Sequence, residues 1–287
     1  MKKWNWKMKT IQTNKITEMI KEMCIEANYF LTEDMKHRLD ASYTEETDPL
    51  GRQILSILQD NLKIAGEEMI PICQDTGMTV IFMEIGQDVH FEGGDLNAAI
   101  QEGVRQGYEE GYLRKSVVKD PIERVNTGDN TPAVIHYEIV PGDKVTITVA
   151  PKGFGSENMS RIFMLKPADG IEGVKNAILT AVKDAGPNAC PPMVIGVGIG
   201  GTFEKAAILS KKALTRNVEE RSDKEWVKAL ETEMLEKINA LSIGPAGLGG
   251  HTTAFAVNIE TYATHIAGLP VAVNICCHVN RHSKRSL

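Results

Sequence analysis

The chain has 287 residues, of which 42% are hydrophobic and 24% charged, so it can bury a sizeable core and is not disordered by composition. Lys plus Arg is 32 against 38 acidic residues, a net charge of −6, and without a basic excess to neutralise a phosphate backbone nucleic acid is not an expected partner. The 25 glycines and 12 prolines exclude collagen-like and low-complexity classes, and 5 scattered cysteines, an odd number, do not make a disulfide framework.

The basic start, residues 1–10, is followed by no apolar segment and does not read as a secretory signal. No apolar run reaches the roughly 18 residues of a spanning helix. The reading is therefore a cytoplasmic protein without a membrane partner, whose cysteines are free thiols, metal ligands or catalysts. Ile16, Met19, Ile20, Met23, Ala27, Phe30 and Leu31 recur at three- and four-residue spacing and predict a helix with one apolar stripe, Cys24 beside it. Residues 33–48 are polar and end in a break at Asp48-Pro49. Further helices are predicted over 50–65, over 95–111 with Asp95 as N-cap, and over 170–185, 203–214, 224–241 and 253–267. Residues 78–85, 193–199 and 269–275 read as strands. Residues 133–140 and 145–150 flank Pro141-Gly142-Asp143-Lys144 and predict a hairpin. With helices and strands intermingled and no internal repeat, the fold class is mixed α/β, helices packed around short mixed sheets.

Chemistry concentrates at loop–strand junctions. Cys73 lies in Pro71-Ile-Cys-Gln-Asp-Thr-Gly77, Cys190 in Gly186-Pro-Asn-Ala-Cys-Pro-Pro192, and Cys277 in Asn274-Ile-Cys-Cys-His-Val-Asn-Arg-His282. Such surroundings fix the backbone and suit a thiolate that holds a metal or cluster. Taken singly, each cysteine also reads as a small buried hydrophobe, and their separations match no local zinc or ferredoxin spacing. Gln74 and Asp75 follow Cys73; Asp75 serves either as a general acid or base or as a cap of the turn at Thr76-Gly77. In Lys152-Gly-Phe-Gly-Ser-Glu-Asn158, glycines before a short helix permit close backbone approach and attract anions, but the Walker order is absent. Gly198, Gly200 and Gly201 do not supply a dinucleotide fingerprint either. Arg114, closing the 95–111 helix region, offers a planar fork to a carboxylate or is a solvated surface arginine. His265, near a helix end, favours the helix dipole or orients an acid or substrate.

Taken together, Ile72-Cys-Gln-Asp-Thr-Gly77, Lys152-Gly-Phe-Gly-Ser-Glu-Asn158, Cys190-Pro-Pro192 with Gly196-Val-Gly-Ile-Gly-Gly-Thr202, and Cys277-His with Arg281-His282 resemble the α part of the iron–sulfur hydro-lyases, the class I fumarate hydratases and L(+)-tartrate dehydratases. The resemblance runs in order from about residue 10 to the C-terminus. It implies the fold of that family's N-terminal domain over 1–287 as a single functional unit, and a [4Fe–4S] cluster held by Cys73, Cys190 and Cys277, with Cys276 a neighbour. The open iron would act as a Lewis acid on a C4-dicarboxylate. It further implies that Gln74, Asp75, Arg114, Gly155 and His265 contact the substrate, Asp75 being the acid and His265 its partner. Single-chain members continue into a β domain, so the expectation is an α subunit that needs a β subunit and forms a hetero-oligomer. Fumarate hydration is the main reading and L(+)-tartrate dehydration the alternative. From another class, a non-catalytic iron–sulfur or zinc scaffold would need the cysteines but not Asp75 or His265.

Overall fold

The computed structural model describes residues 8–287; residues 1–7 of the basic start lie outside them. In chain order the elements are β1 (Lys9–Gln12), α1 (Thr13–Tyr29), α2 (Glu33–Glu45), α3 (Pro49–Glu68), β2 (Met78–Gly86), β3 (Val89–Glu92), α4 (Leu96–Glu110), β4 (Val134–Val140), β5 (Val145–Lys152), α5 (Phe154–Glu157), β6 (Arg161–Leu165), α6 (Gly170–Ala185), β7 (Met193–Gly200), α7 (Phe203–Ala213), α8 (Glu225–Asn239), β8 (Ala254–Tyr262), β9 (Leu269–Cys276) and β10 (Ser283–Ser286). Short 3-10 turns lie at Pro167–Asp169, Gly186–Ala189 and Pro245–Gly247. The fold is mixed α/β, as the sequence indicates. Two compact units share the chain: one takes it up to Phe30, then Ala65–Lys152 and Arg281–Leu287, the other Leu31–Ile64 and Gly153–Asn280.

In the first unit the sheet order is β10-β5-β2-β4, with β2 parallel to β4 and antiparallel to β5. The core joins Ile16, Ile20, Met23 and Cys24 of α1 to Ile100, Val104 and Tyr108 of α4 and to Ile81, Met83, Ile147 and Val149 of the sheet. Asp95 caps α4, its carboxylate accepting the Ala98 N–H at 2.7 Å. The expected hairpin is not formed. β4 and β5 flank β2 instead of pairing with each other, because the continuous apolar run of β2 takes the centre of the sheet. Residues 141–144 bind the end of β2, through Gly86 N–H to Lys144 C=O and Asp88 N–H to Gly142 C=O, both 2.9 Å.

In the second unit the order is β6-β9-β7-β8, with β7 parallel to β8 and antiparallel to β9. Every residue of β7 is buried. α7 lies directly on it: a Cβ on Gly196 or Gly198 would come within 2.1 Å of the carbonyl oxygen of Ser210 or Ala206. Val174, Ile178 and Ala181 of α6 and Val227, Leu230, Met234 and Ile238 of α8 complete this core. One polar segment to which the sequence assigned no element forms a helix, and one expectation is corrected. Residues 33–45 form α2 with a narrow stripe of Met35, Leu39 and Ser42, and Glu33 and Asp34 in its first turn favour the helix dipole. Residues 254–262 form β8 and not a helix; the strand is buried along Ala254–Ile259, and a continuous buried run does not distinguish strand from helix by periodicity. Among the described residues no helix is long and apolar enough to cross a membrane.

Candidate active site

Cys73, Gln74 and Asp75 lie in the first unit, in the irregular segment between α3 and β2. Its backbone is held from within by buried donors. The Asp75 carbonyl accepts from Arg281 Nη2. The Tyr108 hydroxyl lies 2.7 Å from the Thr76 carbonyl oxygen and 3.1 Å from that of Gly77, and Asn130 Nδ2 donates to Gly77 at 3.1 Å. Tyr108 and Asn130 are fully buried and Arg281 is 4% exposed. Desolvation pushes the Tyr108 hydroxyl far up, so it stays a protonated donor. Three successive carbonyls are thereby committed, which fixes the turn. The Asp75 Oδ1 accepts the Gly77 N–H at 3.0 Å, so the capping role does occur. Cys73 Sγ donates to Gln74 Oε1 at 3.4 Å.

Arg114 does not close the α4 region. The helix ends at the Gly111 cap, and Arg114 follows it in a loop with an exposed side chain. Its carbonyl accepts from Thr76 Oγ1 at 3.0 Å, and Asn130 Oδ1 accepts the N–H groups of Ser116 at 2.7 Å and Val117 at 3.1 Å. The loop of Arg114 is thus tied to the turn of Cys73, Gln74 and Asp75.

In the second unit Cys190 follows the 3-10 turn Gly186–Ala189 in a left-handed conformation, φ 52° and ψ 64°. Its carbonyl accepts the His278 N–H at 3.3 Å and lies 3.0 Å from His278 Nδ1. β7 and β9 pair Val194 with Cys276, so Cys277 leaves the sheet beside the Cys190 segment. Gly155 is exposed in α5, with nothing within 4 Å of a Cβ built on it. α5 is anchored through Glu157, which pairs with Lys211 and accepts from Asn274 Nδ2 at 3.1 Å, and the Ile275 N–H donates to Ser160 Oγ just beyond it at 3.1 Å. Cys190, Cys277 and α5 are therefore gathered around the last residues of β9.

His265 is elsewhere in this unit. It stands exposed in the turn between β8 and β9, not near a helix end. Its Nδ1 accepts the Ala267 N–H at 3.2 Å, which places the proton of the neutral ring on Nε2. It borders an open depression of about 370 Å³ with Ile171, Trp226 and Leu269. Eight residues of β9 separate this turn from Cys277, a span of about 26 Å.

Exposure sorts the cysteines. Cys24 and Cys276 are buried, Cys73 and Cys277 half-buried, and Cys190 exposed. Burial pushes the Cys24 thiol up to about 12, so it stays protonated. The three accessible cysteines offer sulfur donors, the chemistry of an iron–sulfur cluster. Among the described residues no three His, Cys, Asp or Glu side chains converge on one metal-ion position; a cluster instead spreads its thiolates over several irons. Sequence reasoning gave no role to Tyr108 or Asn130, which carry no local motif, and used Arg281 only as part of the Arg281-His282 block of the resemblance; all three are defined by distant backbone partners.

Residues 17–286 match the family model described as Fumarate hydratase (Fumerase). A protein of Methanocaldococcus jannaschii, provisionally named L(+)-tartrate dehydratase subunit alpha, is 42% identical over 275 residues, covering 94% of this chain and 96% of its own. The L(+)-tartrate dehydratase alpha subunits of Escherichia coli K12 and Shigella sonnei are each 32% identical over 272 residues, covering 93% of this chain and 89% of theirs. With a match that runs from α1 into β10, the chain belongs to the fumarate hydratase (fumerase) family.

Proposed function

We propose that the chain is the alpha subunit of a [4Fe–4S]-dependent hydro-lyase that reversibly hydrates fumarate to malate. The observation that carries this is the division of the cysteines: the accessible ones, Cys73, Cys190 and Cys277, stand in the segments of family resemblance, while Cys24 and Cys276 are buried. Cys73, Cys190 and Cys277 would hold the cluster, whose remaining iron supplies Lewis-acid polarisation of the substrate C–O bond. Asp75 is the acid that protonates the leaving hydroxyl, its Oδ1 oriented by the Gly77 N–H. Gln74 and the exposed guanidinium of Arg114 bind the dicarboxylate, Arg114 through its planar fork. Gly155 leaves the backbone of α5 open to the substrate's approach. His265 is assigned as partner of Asp75. It stands a strand's length from Cys277, so His265→Asn is a separate test: a lowered kcat supports the role and an unchanged kcat removes it.

The relatives of similar length are named as alpha subunits, which supports a beta subunit as partner and a hetero-oligomer as the active species. A cytoplasmic location goes with thiols that must stay reduced. The names of those relatives favour L(+)-tartrate dehydration as the second reading. Anaerobic reconstitution with iron and sulfide, followed by absorbance and EPR, is expected to give a cubane signature that Cys190→Ala abolishes. Kinetics with both diacids, on the chain assembled with its beta subunit, then decide the substrate. A signature that survives Cys190→Ala overturns the cluster assignment. Full function after Asp75→Asn points to a scaffold.

A further inference from the structure

The turn that carries Cys73 is held by a buried cation that takes part in no ion pair among the described residues. Arg281 is 4% exposed. Its Nη2 donates to the Asp75 carbonyl and its Nε to the Pro151 carbonyl at 3.3 Å, while Nη1, also buried, has no partner. No ion pair among the described residues includes Arg281. A guanidinium keeps its proton, and burying it without a counter-charge is unfavourable. The Tyr108 hydroxyl, which feels the Arg281 charge, is kept neutral by burial, and the carboxylate of Asp75, whose carbonyl Arg281 holds, forms no ion pair with it. Nor does holding the turn require a charge: Tyr108 and Asn130 do the same work as neutral donors.

We propose that Arg281 is a positioning residue whose buried guanidinium is the fixed counter-charge for the anionic group held at the Cys73–Asp75 turn, the thiolate-ligated cluster. This rests on the functional reading above and adds to it the group that sets the cluster's potential. A fixed positive charge in a buried setting favours the more negative, reduced form of a nearby cluster and so raises its reduction potential. Two carbonyl contacts hold the guanidinium in place, so the charge does not relax away when the cluster changes oxidation state.

The test is an EPR-monitored redox titration of the anaerobically reconstituted full chain, with Arg281→Gln, Arg281→Lys and Tyr108→Phe compared with wild type. Arg281→Gln is expected to shift the midpoint to a more negative potential. Arg281→Lys, which keeps the charge, is expected to stay near wild type. Tyr108→Phe, which removes a neutral donor to the same turn, is expected to leave the potential unchanged. If Arg281→Gln does not fold, Arg281→Lys decides: a wild-type midpoint supports the counter-charge, and a clearly more negative one overturns it. An Arg281→Gln midpoint equal to wild type, or one matched by Tyr108→Phe, also overturns it. Wild-type protein that takes up no cluster overturns the functional reading itself, a result distinct from any of these.

Discussion

A thiol's reactivity is set by what surrounds it, and the cysteines of this chain span the range. Cys190 is exposed, Cys73 and Cys277 are half-buried, and Cys24, at 0% exposure, has its thiol raised to about 12. In native, metal-free protein under mild alkylation, Cys190, Cys73 and Cys277 are expected to be modified while Cys24 and Cys276 stay unmodified until the chain is unfolded. Peptide mass mapping over time checks this, and early labelling of Cys24 would contradict its burial. The accessible cysteines were legible in the sequence because each sits among Pro, Gly or Asn residues at a loop–strand junction. Their supports were not. Arg281 acts on a carbonyl 206 positions away and Tyr108 on one 32 positions away, and neither distance leaves a trace in a local pattern.

At the scale of elements, Glu46 shows how one side chain joins distant segments. It caps the end of α2 and is 2% exposed. Its carboxylate accepts the N–H groups of Thr47 and Asp48 at 3.0 Å and those of His251 and Thr252, the latter at 2.9 Å. Burial alone would raise its pKa, but the backbone donors of Asp48, His251 and Thr252 outweigh this and hold it at about 2, against an ordinary 4.5. A depressed carboxylate stabilises the fold fully above its ordinary value, and the contribution, about 3 kcal/mol, is lost as the pH falls from 4.5 toward 2. Glu46→Gln is therefore expected to lower stability by about that amount at neutral pH and to flatten the acid limb, measured by denaturant unfolding from pH 7 to pH 2. Equal acid sensitivity in both proteins would refute the assignment. Element by element, legibility followed punctuation. β7 could be read because Pro191 and Pro192 precede it and Gly200 and Gly201 end it. β8 could not, because no Gly or Pro interrupts the chain from Thr253 to Ala267. The strand order around β2 was out of reach for a different reason, since pairing partners are chosen by burial across the whole sheet.

For the molecule as a whole, neither compact unit is a continuous stretch of sequence, so no linker or change in composition could mark them. The last residues belong with the first. β10 pairs with β5, Ser283 Oγ donates to Glu26 at 2.9 Å, and Arg285 pairs with Glu22 and Glu26 of α1. Removing residues 281–287 is expected to cost hydrogen-exchange protection in α1 and β5 while leaving that of β7 and β9 intact. Uniform loss across all four elements would show that the units do not respond separately.

Cys190 pits durability against chemistry. A left-handed backbone at a residue with a Cβ is strained by about 1 kcal/mol or more, and glycine would occupy φ 52° without that strain. Glycine, however, has no sulfur. The substitution that would most ease the backbone at this position is thus one that removes the thiol, and improvement of the fold and retention of the proposed ligand draw the same codon in opposite directions.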